Sequence, residues 1–362
     1  MTILGIYINK NFLANFALVL FGFTSLVQLL DLLNNTEDIL QNHSGTWSIF
    51  YYIILRLPEI MGSILSFSIL IAALITLGKF VQHNEILALK AFGMSFYKFL
   101  LTLWPSIVFL GVFHFVLHNY IINNAIQART QWDAESALNN PDQTKGTKDK
   151  NLWLHDENFL IRLEGVLDQG HTLVKPIISK RNNLGNIETL TLARSARWEE
   201  AYWVLEDVQE WTIDTTFNSH FKKIPRLIWH SNLSPQHFVD YTTPAESLSF
   251  SDLINFSFNS DIGNQHPYYY YRTSLYRRLF LPFVCLIMVV LAAPIAQRIQ
   301  RHGGILTGLA TGIGLGFTYF IIDGIFFTLG EVGALPALFA ITLPLILYLI
   351  LGISLLIRVE GW

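Results

Sequence analysis

Ionisable side chains are rare in long parts of this sequence, so the few that border those parts are the first candidates for chemistry. Arg56, Arg277 and Arg278 each precede a long apolar stretch, and Asp323 ends the stretch GILTGLATGIGLGFTYFIID. A charge at membrane depth is costly and therefore marks a candidate functional site. The planar guanidinium group suits phosphate, so the arginines are candidates for binding anionic head groups; the alternative is that they anchor helix ends at the interface. Asp323 either faces a polar bundle interior or ends its helix near the membrane surface.

The stretch NEILALKAFG forms a short polar connection between two apolar stretches. Asn84 can cap a helix, Glu85 then lies in the first turn where the helix dipole favours a carboxylate, and Gly93 can end the helix. Four apolar residues fall near one face of this segment and the one that follows: Ile86, Leu89, Phe92 and Phe96. We predict a short surface helix that either packs at the interface alone or docks onto a motor subunit.

Motifs for hydrolysis, metal binding and nucleotide binding are weak or absent in the sequence. Gly78 and Lys79 are followed by Phe80 rather than Ser or Thr, so the phosphate-binding loop of ATPases is missing. His114 and His118 have the spacing of metal ligands, but no HExxH motif accompanies them, and packed histidines at a helix end are the favoured interpretation. We therefore predict no catalytic residue, metal or cofactor in this chain, and the net charge of -3 gives no support for nucleic-acid binding.

The elements that must position these residues are membrane-spanning helices. Of the 362 residues, 52% are hydrophobic and only 14% are charged, against roughly 25% charged residues in soluble domains. Six windows contain no Asp, Glu, Lys or Arg and are long enough to cross a bilayer: 11–30, 60–78, 99–117, 279–297, 305–322 and 332–357. Gly308, Gly312 and Gly316 recur along the fifth window, which predicts close approach of a neighbouring helix.

Lysine and arginine residues in the short connections indicate the orientation, because positive charge is retained on the cytoplasmic side. With a cytoplasmic N-terminus, that side collects Lys10, Lys79, Lys90, Lys98, Arg298, Arg301 and Arg358. The short connections of the other side then hold Arg56 alone. The arginines that flank the long insertion reduce the excess of positive residues on the cytoplasmic side without reversing it. Both termini and the connection at 81–98 are therefore predicted to be cytoplasmic, with the insertion on the opposite side.

The insertion at residues 122–266 is predicted to be a β-rich domain between two transmembrane segments, 1–121 and 267–362. Its short runs FLIRLEGVL, TLVKPIIS and NIETLTLA alternate apolar and polar residues, which is typical of half-buried strands. The stretch 247–267 is predicted to be a linker back to the membrane. Tryptophans recur in the insertion, either as core residues or as the lining of an apolar trough for acyl chains: Trp153, Trp198, Trp203, Trp211 and Trp229.

The order of these features resembles the LptF/LptG (YjgP/YjgQ) permease family of the lipopolysaccharide exporter over essentially the whole chain. The motifs that carry the resemblance are NEILALKAFG after the second span, the pair Arg278 and Pro282 at the start of the fourth, and GLGFTYFIID up to Asp323. NLWLHDENFLIRL and ARSARWEEAYWVLEDV are more similar to the β domain of the G-type (LptG) subunit than to that of the F-type. The resemblance implies an α-helical membrane protein with six transmembrane helices in a 3+3 arrangement and an inserted periplasmic β-rich, jelly-roll-like domain.

The resemblance also implies a function and a set of partners. The chain is expected to be the transmembrane subunit of an ABC-type exporter that extracts lipopolysaccharide from the outer leaflet of the bacterial inner membrane and passes it to a periplasmic bridge. The expected partners are an LptF-like permease subunit, two soluble LptB-like ATPase subunits that bind ATP, and LptC-like and LptA-like bridge proteins. Residues 83–93 match the coupling helix that contacts the ATPase, and the acidic residue of that helix matches Glu85.

These expectations assign roles to the candidate residues and leave one main alternative. The coupling residues are Asn84, Glu85, Ile86, Leu89 and Gly93, the substrate-binding residues are Arg56, Arg277 and Arg278, and Asp323 supplies polarity inside the bundle. The alternative function is a scaffold or receptor whose β domain is tethered by six spans and which has no transport cycle. An ion-coupled secondary transporter is less well supported, because such proteins use several ionisable groups near the membrane midplane. Association with a motor subunit is expected only of the exporter, so it distinguishes the exporter from the scaffold or receptor and from the secondary transporter.

Overall fold

Helices account for most of the chain outside a single inserted sheet. The computed structural model describes residues 3–42, 47–139, 152–156, 159–181, 187–199, 201–213, 219–231, 233–235, 238, 245–246, 248–258, 267–302 and 305–360. Within these residues, six helices are long and apolar enough to cross a membrane, three before the sheet and three after it. The predicted 3+3 arrangement with an inserted β-rich region is therefore confirmed.

The part of the chain before the sheet contains the first three spans and two short connecting helices. Its elements are α1 (Ile3–Asn42), α2 (Trp47–Gln82), α3 (Glu85–Ala91), α4 (Phe96–Leu101), α5 (Trp104–Val116), a π-helical segment (Leu117–Ile122) and α6 (Asn123–Asn139). A helix satisfies its own backbone hydrogen bonds and so can continue on either side of the bilayer boundary. The third span accordingly remains helical beyond residue 121, and the first strand begins at Leu152.

The inserted sheet is antiparallel and has nine strands among the described residues. They are β1 (Leu152–Asp156), β2 (Phe159–Leu163), β3 (Gly165–Leu167), β4 (Thr172–Val174), β5 (Ile177–Arg181), β6 (Ile187–Leu192), β7 (Ser195–Glu199), β8 (Tyr202–Ile213) and β9 (Ser219–Trp229). The strand order is β1-β2-β5-β6-β8-β7-β4-β3, and β9 also pairs with β8. Each of the three alternating runs in the sequence contains at least one of these strands.

Strand β8 joins the two halves of the sheet. Its first half pairs with β7 and its second half with β6, while β9 accompanies it along nearly its whole length. Asp207 lies between the two pairings and has a φ of 54°. Aspartate tolerates this left-handed conformation better than most residues, so β8 can change partners without ending. Trp211, in the second half, packs on Phe221 of β9 with ring centroids 5.1 Å apart.

Trp203 lies at the centre of the core of the sheet. Its side chain is fully buried, and its indole N–H donates a hydrogen bond of 2.8 Å to the carbonyl oxygen of Leu233. Trp198 and Trp229 pack against the same core. The interpretation of the tryptophans as core residues is therefore confirmed for these three. The side chain of Trp153 lies outside the described part of the chain.

The chain returns from the sheet to the membrane through helix α7 (Phe250–Phe258). The Ser249 hydroxyl accepts a 3.2 Å hydrogen bond from the backbone N–H of Asp252 and donates one of 2.6 Å to the Asp252 carboxylate. Leu253 and Phe256 then pack against Tyr271 of the next helix. The prediction of a linker over 247–267 is wrong at α7, because a serine cap and apolar residues three apart stabilise a helix there.

The last three spans are α8 (Tyr268–His302), α9 (Ile305–Glu331) and α10 (Ala337–Glu360). Helices α2 and α8 are the most enclosed of the six spans, and α1 and α9 are the least. Gly312 and Gly316 of α9 lie against Leu74 and Leu70 of α2, where an added Cβ atom would collide with the leucine side chains. The predicted close approach of a neighbouring helix is confirmed for these two glycines, and the neighbour belongs to the same chain.

Candidate functional site

Helix α3 begins after a two-residue turn, 83–84, that follows the end of α2. Asn84 has a φ of 56°, and its side chain does not cap the helix. The predicted N-cap is therefore wrong, because Asn84 uses its tolerance of the left-handed conformation to turn the chain instead. Glu85 lies in the first turn, as predicted. Gly93 has a φ of 80°, which glycine adopts without a Cβ penalty, and it follows the end of α3 at Ala91.

Helix α3 has one face against the bundle and one face away from it. Ile86 is buried and Leu89 is partly buried, both against the core of the bundle, so these two predicted coupling residues hold α3 in place. Leu87 and Phe92 are on the outer side, with exposed fractions of 57% and 89%. The placement of Phe92 on the Ile86 face is wrong, because α3 ends before Phe92 and the helical period no longer applies. Leu87 was not predicted, although Leu87 and Ala91 are four apart and form a second apolar edge.

Arg277 and Asp323 form an ion pair between α8 and α9. Nη2 of Arg277 lies 3.4 Å from Oδ2 of Asp323, and the guanidinium carbon lies 3.9 Å from the centre of the Phe327 ring. A guanidinium over an aromatic face is attracted by the ring quadrupole. The structure thus brings together two residues that the sequence offered separately. Asp323 faces a partner within the bundle and does not end its helix, which continues to Glu331.

Arg278 is buried and makes a different set of contacts from its neighbour. It donates hydrogen bonds of 2.8, 2.7 and 2.7 Å to the carbonyl oxygens of Ala245, Glu246 and Leu248. A longer one, of 3.4 Å, reaches the amide oxygen of Asn119 in the π-helical segment. Because the guanidinium has five N–H donors in a fixed plane, it can join several acceptors at once. Arg278 therefore ties α8 to the third span and to the segment returning from the sheet.

Arg56 belongs to an ionic network that joins α1, α2 and α6. Its guanidinium contacts Glu59 and lies 3.4 Å from the carboxylate of Asp31. The hydroxyl of Tyr52 donates a 2.8 Å hydrogen bond to Asp31, and Arg129 lies 3.2 Å from Glu59. Exposed ion pairs contribute little individually, but a partly buried network of several charges fixes geometry more strongly. The sequence analysis missed this network because its members come from three separate helices.

A cavity of about 340 Å³ lies between the spans near these charges. Its polar lining includes Glu59, Ser63, Ser66, His114, His118, Ser274, Arg277, Arg278, Tyr319 and Asp323. Arg56 lies outside this lining and is connected to it through Glu59. Of the three arginines predicted to bind substrate, the structure therefore brings two to one cavity and places the third in a network beside it.

The two histidines occupy the third span beside the cavity. His114 is buried, and its Nδ1 lies 3.9 Å from Sγ of Cys285. His118 lies in the π-helical segment, a helix form that occurs frequently at functional sites. Within the described ranges, no group of three His, Cys, Asp or Glu side chains could hold a metal ion. The two histidines therefore supply polarity to the cavity wall.

The sequence pattern of the family described as "Lipopolysaccharide export system permease LptF/LptG" matches residues 6–358 of the chain. The chain belongs to the LptF/LptG family. It is 21% identical over 364 residues to "Lipopolysaccharide export system permease protein LptG" of Escherichia coli (strain K12), with 98% of both chains covered. It is 24% identical over 356 residues to the protein of the same name from Haemophilus influenzae (strain ATCC 51907 / DSM 11121 / KW20 / Rd), with 95% of both covered.

Membership of the LptF/LptG family confirms the resemblance noted in the sequence. Both relatives carry the G-type name, in agreement with the similarity of the β-domain motifs to that type. The six apolar helices and the family together make the chain a multi-pass membrane protein of a permease family. The motifs quoted for the resemblance lie on α3, at the start of α8, along α9 and in the sheet.

Proposed function

We propose that this chain is the G-type transmembrane subunit of an ABC-type lipopolysaccharide exporter in a bacterial inner membrane. It extracts lipopolysaccharide from the outer leaflet and passes it to a periplasmic bridge, while separate LptB-like ATPase subunits bind and hydrolyse ATP. Beyond the family, the observation that carries this proposal is an exposed apolar surface formed by Leu87 on α3 and by Phe92 directly after it. A short helix outside the spans that exposes two large apolar side chains offers a docking surface for a soluble partner.

The order of the elements supports opposite locations for α3 and the sheet. The third span lies between them in the chain, so they emerge at opposite ends of the bundle. The positive charges around α3, from Lys79, Lys90 and Lys98, favour the cytoplasm for its end. Both termini are then cytoplasmic and the sheet is periplasmic. The ATPase can then reach α3 from the cytoplasm, and the bridge can reach the sheet from the periplasm.

The least covered spans supply the proposed surface for an LptF-like permease subunit. Leu18 and Phe21 on α1 and Phe317 and Ile325 on α9 are all more than half exposed. Apolar faces of this kind are covered by lipid or by another membrane helix, and helices associate in lipid through close packing. We place the partner permease against α1 and α9, so that the two subunits enclose a path open to the outer leaflet.

The three arginines receive different roles in this proposal. Arg277 lines the cavity and its side chain is 42% exposed, so it is the proposed contact to head-group phosphate. Arg56 is the proposed contact at the rim, held in position by Asp31 and Glu59. Arg278 points its donors at backbone carbonyls and is reassigned from substrate binding to positioning.

The proposed transfer of lipid to the bridge uses the edge of the sheet. Strand β9 pairs with β8, and no other described strand pairs with it. An unpaired strand edge can accept a strand from another chain through main-chain hydrogen bonds. LptC-like and LptA-like proteins are the proposed partners at this edge.

A pull-down of the tagged full-length chain in mild detergent, followed by mass spectrometry, tests the proposal. We expect a soluble ATPase and a second six-span permease to copurify, because α3 and the α1 and α9 surfaces bind them. The Glu85→Lys variant should insert normally but lose the ATPase and lipopolysaccharide export. Recovery of the chain alone or with periplasmic proteins only would instead favour the scaffold or receptor, provided that a known ABC exporter stays intact in the same detergent.

A further inference from the structure

The cavity between the spans is formed by a single chain. Helices α2, α5, α8, α9 and α10 and the π-helical segment all contribute side chains to its lining. Its volume of about 340 Å³ is sufficient for a small ligand or a lipid head group. Its apolar walls include Phe280, Val284, Phe320, Phe327, Ile341 and Leu345.

Two residues that line this cavity have buried hydroxyl groups without a hydrogen-bond partner among the described residues. Tyr319 is 1% exposed and Ser274 is 6% exposed, and neither side-chain oxygen is bonded within the described part of the chain. The same holds for Nδ1 of His118. Leaving buried polar groups unpaired is unfavourable, and folded proteins do so rarely. A ligand that binds all three groups would remove this penalty.

Two arginines and three carboxylates line the cavity. Arg277 is paired with Asp323, whereas the contacts of Arg278 are neutral oxygens that leave its charge in place. Two other carboxylates line the cavity: Glu59 is ion-paired with two arginines, and Glu246 is exposed to solvent. The lining therefore has no excess of positive charge, and an anion would be recognised through hydrogen-bond donors.

The unpaired groups and the guanidinium group of Arg277 can all donate hydrogen bonds. Donors in a low-dielectric environment bind charged oxygens more strongly than donors in water. We propose that this cavity binds the phosphate group of a membrane amphiphile, with Arg277 exchanging Asp323 for phosphate and Tyr319 and Ser274 donating hydrogen bonds to it. Asp323 orients Arg277 in the free protein and competes with the ligand. The inference deepens the proposed role of Arg277 and rests on the proposed function only in taking lipopolysaccharide as one source of phosphate.

The test is a binding measurement on the purified chain, with the subunits that copurify, in a phosphate-free maltoside detergent. The probes are diphosphorylated lipid A, the same lipid A without its phosphates, phosphatidylglycerol and inorganic phosphate. We expect the phosphorylated lipids to bind and the dephosphorylated lipid A to bind at least about tenfold more weakly. A preference for lipid A identifies the substrate as the source, and equal binding of phosphatidylglycerol identifies bulk phospholipid. Inorganic phosphate binding as tightly as the lipids, or no binding of any probe, overturns the proposal.

Variants connect the binding to the named groups. Tyr319→Phe combined with Ser274→Ala is expected to weaken binding of phosphorylated lipid about tenfold while leaving Tm unchanged or higher, because unpaired buried hydroxyls are removed. Asp323→Asn is expected to tighten binding. The matched control is Tyr348→Phe combined with Ser68→Ala, two buried hydroxyl residues outside the cavity lining, which should not change affinity.

Two results contradict the assignment of these groups. One is unchanged affinity of the Tyr319 and Ser274 variant for phosphorylated lipid, and the other is a lower Tm with unchanged affinity, which indicates a structural role. Binding of the lipid does not depend on an ATPase. Failure here is therefore distinct from failure of the pull-down that tests the exporter.

Discussion

Arg278 in α8 donates a 2.7 Å hydrogen bond to the carbonyl oxygen of Leu248, in the segment that returns from the sheet. This contact joins a transmembrane helix directly to the connection with the inserted domain. With the further bonds to Ala245, Glu246 and Asn119, it makes one buried side chain a junction of three segments. The neighbouring Arg277 has its guanidinium on Asp323 and Phe327 instead, so two consecutive arginines serve different purposes.

Arg278→Lys should destabilise this junction. Lysine keeps the charge but lacks the planar fork, so at least two charge-assisted hydrogen bonds are lost at a buried position, for about 3 kcal/mol in the free energy of unfolding. The measurement is SDS-induced unfolding of the purified protein, together with protease cleavage near residues 245–248. Arg277→Lys is the control at the adjacent, more exposed position and should change the free energy of unfolding much less. Equal stability of the two variants would contradict the junction.

Gly312→Val should weaken the packing of α9 on α2. A side chain at this position meets Leu74, and overpacking a close contact costs about 1–3 kcal/mol. Thermal unfolding in detergent measures the effect. Gly314→Val is the matched control two residues away, where an added Cβ atom has no other atom within 4 Å. If both variants lose the same stability, the helix backbone rather than the α2 contact is responsible.

Leu87→Asp should reduce binding of the proposed ATPase by at least tenfold, since a charge then replaces one of the two large apolar side chains of the docking surface. The amount of ATPase that copurifies with the tagged chain is the readout, with the yield of inserted chain as reference. Ile6→Asp is the control, because Ile6 on α1 has a similar exposed fraction, 55% against 57% for Leu87. Full retention of the ATPase by the Leu87 variant would remove α3 as the docking element.

Asp31→Asn and Tyr52→Phe should be energetically coupled. Their 2.8 Å hydrogen bond joins α1 to α2, and a double-mutant cycle is expected to give a coupling of about 1 kcal/mol. The free energies of unfolding of the wild type, both single variants and the double variant supply the cycle. Tyr51→Phe provides a control, because Tyr51 packs on Trp132 and should be additive with Asp31→Asn. An additive result for Tyr52 would show that the contact is not formed in the membrane.

Local patterns in the sequence predicted the elements better than the contacts between them. The spans and the strands follow from apolar windows and alternating runs, and Gly93 and Glu85 lie where short-range rules place them. Helix α7 was missed although the spacing of Ser249 and Asp252 resembles a capping box, because a polar stretch was interpreted as a linker. Asn84 shows the opposite error, in which a residue suited to capping turns the chain instead.

The site depended on information that no single segment contains. Arg278 and Asn119 are separated by 159 residues, and Arg277 and Asp323 by 46, so their pairing becomes visible only when the helices are packed. Sequence reasoning identified these charges as unusual because of their cost in a membrane, but it could not distinguish a guanidinium that binds carbonyls from one that faces a cavity.

Helix α2 continues from Trp47 to Gln82 with Pro58 inside it. Its 36 residues correspond to a rod about 54 Å long. Arg56 of the ionic network is its tenth residue, the middle borders the cavity through Ser66, and two residues separate its last residue from Glu85. Tilting such a rod by about 10° around its midpoint displaces each end by about 5 Å. Such a tilt would move the two ends of α2 in opposite directions, so a displacement beside α3 would reach the far end of the helix reversed.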